Sequence, residues 1–268
     1  MKKTTVFFLF ITILISFQCK KGDPIEPNII VPPKIVAFHE IYSFEHYGFH
    51  EMKYKDNRFD YAVFSGDTIR FNYKNNRLDY YIGPMFGTCC DVRRRKQYHY
   101  FNDSLVDKIW FKSTYKDDEL EDIELKYNGA NQINYYRLYH SLDPYPYYVY
   151  EWENDDISKV TTYNFNYHVT PDLVVQSIDS ITYSDIINPL QSLKTIYFKS
   201  IFLSKHLPIS MIRIRYSYDC DYNNVPFTRT LTKIDTLHYD YSFDYSNSGL
   251  VTGIYMNNKK HFVIKYDK

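Results

Sequence analysis

The sequence predicts an all-β protein, an antiparallel sheet built from repeated β-hairpins, with one short helix near 189–204. Three observations predict it. The chain carries 30 Tyr and 19 Phe against 8 Gly, and Tyr is a strand former suited to a wall with one wet and one dry face. Short units of the form aromatic–x–aromatic, polar turn, Leu or Ile recur, most plainly at Phe71–Ile82 (FNYKNNRLDYYI). The turns collect Asn and Asp, which tolerate left-handed backbone and bond their own main chain.

Met1–Lys3 is a short basic stretch and Val6–Ile15 (VFFLFITILI) is apolar apart from Thr12. That run is shorter than the roughly 20 apolar residues a membrane helix needs, so it predicts a secretory signal. It ends at Ile15–Cys19 (ISFQC), which resembles a bacterial lipobox. Residues 1–18 are expected to be a lipoprotein signal peptide, with Cys19 the lipidation site. Its thiol would take a diacylglycerol and its freed amine an acyl chain, and several chains together anchor stably. An ordinary signal peptide with an incidental cysteine is the alternative. Residues 19–34 follow as a tether, with Pro24, Pro27, Pro32 and Pro33 opposing helix and central strand. Lys20 and Lys21 precede a nearly isolated Asp23, which leaves the periplasmic or surface face of the outer membrane open.

Residues 35–268 are expected to form a single repeat-built β domain. Ile35–Tyr42 opens it. Hairpins follow at Glu51–Phe64, Thr68–Ile82, Tyr98–Phe111, Ser113–Leu125, Tyr147–Tyr163 and Tyr241–Tyr255. Their turns lie at Lys55–Arg58, Lys74–Arg77, Asn102–Ser104, Lys116–Glu119, Glu153–Asp156 and Ser246–Gly249. Period-two alternation places Tyr148, Tyr150 and Trp152 on one face. Asn188–Leu207 departs from the pattern. Leu190, Leu193, Tyr197 and Ile201 have near-helical spacing, Asn188-Pro189 suits a helix start, and Pro208 ends it. Ile209–Asp219 and Leu231–Tyr245 return to strand.

These features coincide with Tyr183–Leu190 (YSDIINPL), Leu203–Pro208 (LSKHLP) and Phe243–Val251 (FDYSNSGLV). Together they resemble a family of uncharacterised Bacteroidetes lipoproteins with tyrosine–aspartate (YD)-like hairpin repeats. The resemblance covers most of the chain after residue 50. It implies a repeat-built antiparallel sheet outside the cytoplasm and carries no catalytic residues over.

Cys89, Cys90 and Cys220 leave three thiols in an oxidising compartment. One disulfide from Cys89 or Cys90 to Cys220 is the first reading, and a vicinal Cys89–Cys90 bridge the second. No Cys-x-x-Cys or matched His spacing supports a metal. His39, His46 and His50 read as surface histidines, and Arg93–Lys96 as a solvated basic edge. Trp110 and Trp152 are the candidate ligand-facing aromatics, against the reading that aromatic pairs simply hold the sheet together. With 32 basic and 32 acidic residues the net charge is zero, which disfavours a nucleic-acid binder. No nucleophile elbow or placed carboxylate pair appears.

The expected function is therefore a non-catalytic cell-envelope lipoprotein, without cofactor, held at the outer membrane by its lipid and binding a glycan or a protein partner. A structural or assembly role through sheet-edge pairing is the alternative. A hydrolase is a distant third.

Overall fold

A computed structural model describes residues 33–41, 46–64, 67–84, 93–102, 104–113, 119–138, 147–165, 173–194, 196, 198, 200–221 and 228–267. Lys34–Lys268 is one compact unit. Its strands are β1 (Ile35–Ile41), β2 (His46–Lys55), β3 (Arg58–Phe64), β4 (Asp67–Lys74), β5 (Arg77–Pro84), β6 (Arg93–Tyr100), β7 (Val106–Ser113) and β8 (Glu119–Tyr127). They continue as β9 (Ile133–Leu138), β10 (Tyr147–Glu153), β11 (Asp156–Phe165), β12 (Leu173–Ile187), β13 (His206–Asp221), β14 (Thr228–Tyr245), β15 (Val251–Met256) and β16 (Lys259–Tyr266). Each pairs antiparallel with the next, and β1 pairs with β16, so the hairpins form a closed barrel. The predicted all-β, hairpin-built class is what the chain adopts.

Odd strands start, and even strands up to β14 end, at one end of the barrel, here the turn end. The hairpin tips there have the predicted chemistry. Asp56 and Asn57 (φ 50 and 61°), and Asn75 and Asn76 (φ 49 and 65°), put two left-handed residues at each tip. That geometry matches the twist of two-residue hairpins. Asn257 and Asn258 (φ 51 and 62°) make the same turn between β15 and β16, at the opposite end. Gly249 sits at φ 80°, a conformation that favours glycine.

A second contact closes the turn end. Where an incoming even strand ends beside the start of the preceding odd strand, an aromatic side chain donates to that strand's first carbonyls. Tyr54 donates to Ile35 at 2.7 Å, Tyr100 to Leu78 at 2.8 Å, Tyr127 to Val106 at 2.6 Å and Trp152 to Ile133 at 2.8 Å. Tyr183 donates to Ile157 at 2.9 Å and Tyr266 to Val251 at 2.8 Å. These strand pairs are covalently joined at their other end, so the aromatic bond locks the end the chain leaves open. Burial raises the phenol pKa of Tyr54, Tyr100, Tyr127 and Tyr183, which keeps them protonated donors. The basic residue just before the acceptor covers the ring: Lys34 over Tyr54 (5.3 Å) and Arg77 over Tyr100 (5.0 Å).

Residues from strands all round the ring share one apolar cluster, which places that cluster in the lumen. Residues 188–205, between β12 and β13, join it. They form a 3-10 turn (Pro189–Leu193) and a single α turn, α1 (Ser200–Leu203), rather than one continuous helix. The reason is geometric. Ile187 pairs with His206, so the segment must leave and return at one seam. A straight helix of 16 residues would separate its ends by about 24 Å. The insert spans the lumen. Phe202 lies 5.5 Å from Phe38 and 6.2 Å from Phe262 on the β1–β16 side. Phe198 lies 6.1 Å from Tyr136 on β9, and its carbonyl accepts from the Tyr150 hydroxyl at 2.9 Å.

Asn188 holds the insert in shape. Its Oδ1 accepts from Leu190 N at 3.0 Å, and its Nδ2 donates to the carbonyls of Ile201 and Ser204 at 2.5 and 2.9 Å. Ser204 Oγ accepts from Ile157 N at 3.1 Å, which ties the insert to the wall.

Candidate functional site

The insert meets the wall at the tip of the β10–β11 hairpin. Lys205 N donates to the Asp155 carbonyl at 3.1 Å, and its ammonium reaches the Asp155 carboxylate at 3.0 Å. His206 N and Nδ1 lie 2.8 and 2.7 Å from the Asp156 carboxylate. These contacts fix the insert to the wall, and Asp155 and Lys205 also help line a pocket of about 450 Å³ beside it. Its lining is part apolar (Leu105, Val106, Ile133, Phe198 and Leu203), part polar (Ser104, Asn131, Gln132, Asp155, Gln191, Lys194 and Lys205), with the Tyr127 and Trp152 rings among them.

Several lining groups are held by the fold. Trp152 commits its indole N–H to Ile133, so what it offers a ligand is ring surface. Gln132 donates to the Asn154 carbonyl at 2.7 Å, and Gln191 to the Leu203 carbonyl at 3.2 Å. The Asn128–Gln132 tip is shaped by Asn128 Oδ1, which accepts from Ala130 N and Gln132 N. Among the described residues the lining holds one carboxylate, Asp155, and it is ion-paired. Acid–base cleavage of a glycoside uses two carboxyl groups flanking the bond.

The two predicted aromatics part company. Trp152 packs toward the lumen and lines the pocket. Trp110 follows buried Ile109 on β7 and so points outward, with the Lys108 ammonium 5.7 Å from its ring. Cys19, Cys89 and Cys90 lie outside the described residues, and Cys220 is on β13. Among the described residues no three His, Cys, Asp or Glu side chains converge as metal ligands. Sequence reasoning missed Gln132, Gln191, Lys194 and Lys205, whose only signal was their place in the segments bordering hairpin tips and the insert.

The outer wall is charged. Glu51 and Lys53 flank buried Met52, and Glu124 and Lys126 flank buried Leu125, so alternation turns them outward. Each forms an outward ion pair: Lys53–Glu51 (3.2 Å), Lys126–Glu124 (3.4 Å) and, between β11 and β10, Lys159–Glu151 (2.7 Å). Tyrosines fill gaps on both faces. Tyr147 stacks on Tyr163 at 4.6 Å outside, and Tyr136 on Tyr148 at 5.5 Å inside.

Solved structures that resemble this chain include two porin-like proteins. One is a porin-like protein from Bacteroides vulgatus, 9% identical, covering 88% of this chain and 99% of that chain with a TM-score of 0.39. The other is a porin-like protein from Bacteroides uniformis, 9% identical, covering 88% and 97% with a TM-score of 0.49. No protein-family profile matches the chain, and no curated protein matches it.

Proposed function

We propose that this protein is a non-catalytic cell-envelope lipoprotein, anchored through Cys19, whose barrel binds a short glycan in the turn-end pocket. One observation carries the reading: the Trp152 ring sits beside Gln132, Gln191, Lys194 and Lys205 in a cavity of about 450 Å³. A flat aromatic face suits the apolar face of a sugar ring, and placed amides and ammoniums suit its hydroxyls. Among the described residues the lining's one carboxylate is ion-paired, which favours binding over cleavage.

The wall supports a barrel in water rather than in lipid. A membrane barrel is apolar outside, and a Lys or Arg on its lipid face costs about 2–4 kcal/mol at the bilayer midplane. Lys53, Lys126 and Lys159 lie on the outer face near the turn end, and Arg70, exposed between buried Ile69 and Phe71, carries charge to mid-strand on β4. Membrane attachment then falls to the lipid and the proline-rich tether, at the periplasmic or surface face of the outer membrane.

A glycan array probed with the full chain tests this reading, with any bound sugar analysed afterwards by chromatography. Retention of a sugar class that is recovered intact, and loss of retention in Trp152→Ala, is the expected result. Recovery of cleaved sugar would establish a hydrolase. No retention, together with a recovered protein partner, would replace the glycan with sheet-edge assembly, the second reading, favoured because β14 pairs with β15 only over Tyr241–Tyr245 although it runs from Thr228.

A further inference from the structure

β14 pairs with β13 from Thr228 to Asp240 but with β15 only from Tyr241 to Tyr245. The short β15–β16 hairpin ends there. Asn257 seals the step: its N–H donates to Asp240 O at 2.9 Å, its Oδ1 accepts from Asp240 N at 2.9 Å, and its Nδ2 donates to His238 O at 3.2 Å. Beyond the step, the described residues give β14 no strand neighbour on this side. His238 and Asp240 turn their main-chain groups toward it, so alternation turns those of Thr236 and Ile234 the same way. A long open edge of unpaired N–H and C=O groups is a template for another strand.

The edge's own sequence specifies the strand. Leu231-Thr232-Lys233-Ile234-Asp235-Thr236-Leu237 is a palindrome about Ile234, save that Lys233 and Asp235 have opposite charge. Antiparallel pairing of two such segments about Ile234 sets Lys233 opposite Asp235 on both sides of the axis, and the bulge at Thr232 ends the regular register just beyond them. Within one chain Lys233 Nζ lies 2.8 Å from Asp235 Oδ1, on one face of the strand. Two copies would bring four alternating charges together there. On the other face Ile234, 55% exposed in the single chain, would meet its own copy. Cross-strand pairs of these kinds are the stabilising units of a sheet, and a self-complementary patch is what a two-fold interface requires.

The geometry points to a two-fold dimer in which the open edge of β14 pairs antiparallel with its own copy about Ile234. This inference is independent of the pocket. Light scattering on the chromatographed full chain tests it, using wild type, Lys233→Asp and Asp235→Lys. Wild type is expected as a dimer. Each single variant places like charges across the axis and is expected to raise the dimer dissociation constant at least tenfold. Mixing the two variants restores opposite charges across the axis, so a heterodimer returns, which a misfolded variant could not form. Register is read separately: Ile234→Cys is expected to cross-link to its own copy above the parent-chain blank, and Thr230→Cys, which the two-fold axis at Ile234 holds away from its own copy, is not. A monomeric wild type, single variants that dimerise as well as wild type, a mixture that stays monomeric, or equal cross-linking at 230 and 234 would each overturn the dimer.

Discussion

Tyr100 shows what the tyrosines do one residue at a time. Its hydroxyl bonds the Leu78 carbonyl at 2.8 Å and Arg77 lies over its ring. Tyr100→Phe is expected to cost about 1 kcal/mol in a urea melt. Tyr245→Phe is expected to cost almost nothing, because Tyr245 is 51% exposed and ends β14, whose seam with β13 has no such bond among the described residues. Buried phenols also set an alkaline limit. Burial pushes Tyr266 and Tyr241 up to about 12, above the ordinary 10.0. Each holds its proton more tightly folded than unfolded. Their contribution to stability is therefore complete below about pH 10 and is lost as pH rises through about 12. Urea midpoints should be flat to about pH 10 and fall beyond it. The repeat was legible in the sequence as a strand–turn–strand unit. The aromatic-to-carbonyl bond was not, because its acceptor lies in the neighbouring unit, 19 residues away for Tyr54 and 22 for Tyr100.

The insert 188–205 is the element that converts a ring of hairpins into a body with a core and a pocket. Its start was legible: Asn188-Pro189 caps a helical turn as predicted. Its interior was not, since the near-helical spacing of Leu190, Leu193 and Ile201 also suits two short turns facing the lumen. What decides between them is the Ile187–His206 pairing, a tertiary constraint. Asn188 is 3% exposed and makes three side-chain bonds. Asn188→Ala strands two buried carbonyls and one N–H, and is expected to destabilise by about 2–3 kcal/mol. Phe202→Ala removes the ring set edge-on against the stacked Phe38 and Phe262 rings, with an expected loss of about 3–5 kcal/mol. Thermal melts measure both. Hydrogen exchange should show faster exchange of the Ile157 amide, bonded to Ser204.

At the scale of the whole molecule, closure and wall polarity decide the account. Local sequence carries the hairpins but no trace of the β1–β16 seam, where Ile35 pairs with Tyr266. Wall polarity was half legible. Alternation around Met52 and Leu125 is visible in the chain, but which face is the lumen emerges only when residues from strands all round the ring share one cluster with the insert. The Asp179–Arg213 pair, with two bonds of 2.6 Å, ties β12 to β13. Asp179 is 5% exposed, so Asp179→Ala would strand a half-buried guanidinium and is expected to cost about 3 kcal/mol.

The central claim is that the turn-end pocket holds a sugar against Trp152. The chain has two tryptophans, one in the pocket and one on the outer wall, so Trp110→Phe leaves Trp152 as the sole reporter. Fluorescence titration of the full-length Trp110→Phe chain with neutral and uronic-acid oligosaccharides is the direct measurement. The account predicts a saturable change in Trp152 emission with at least one sugar class, weakened at least tenfold by Gln191→Ala, with the sugar recovered uncleaved. Emission that no sugar in the panel moves, or that moves equally in the Gln191→Ala chain, would contradict it.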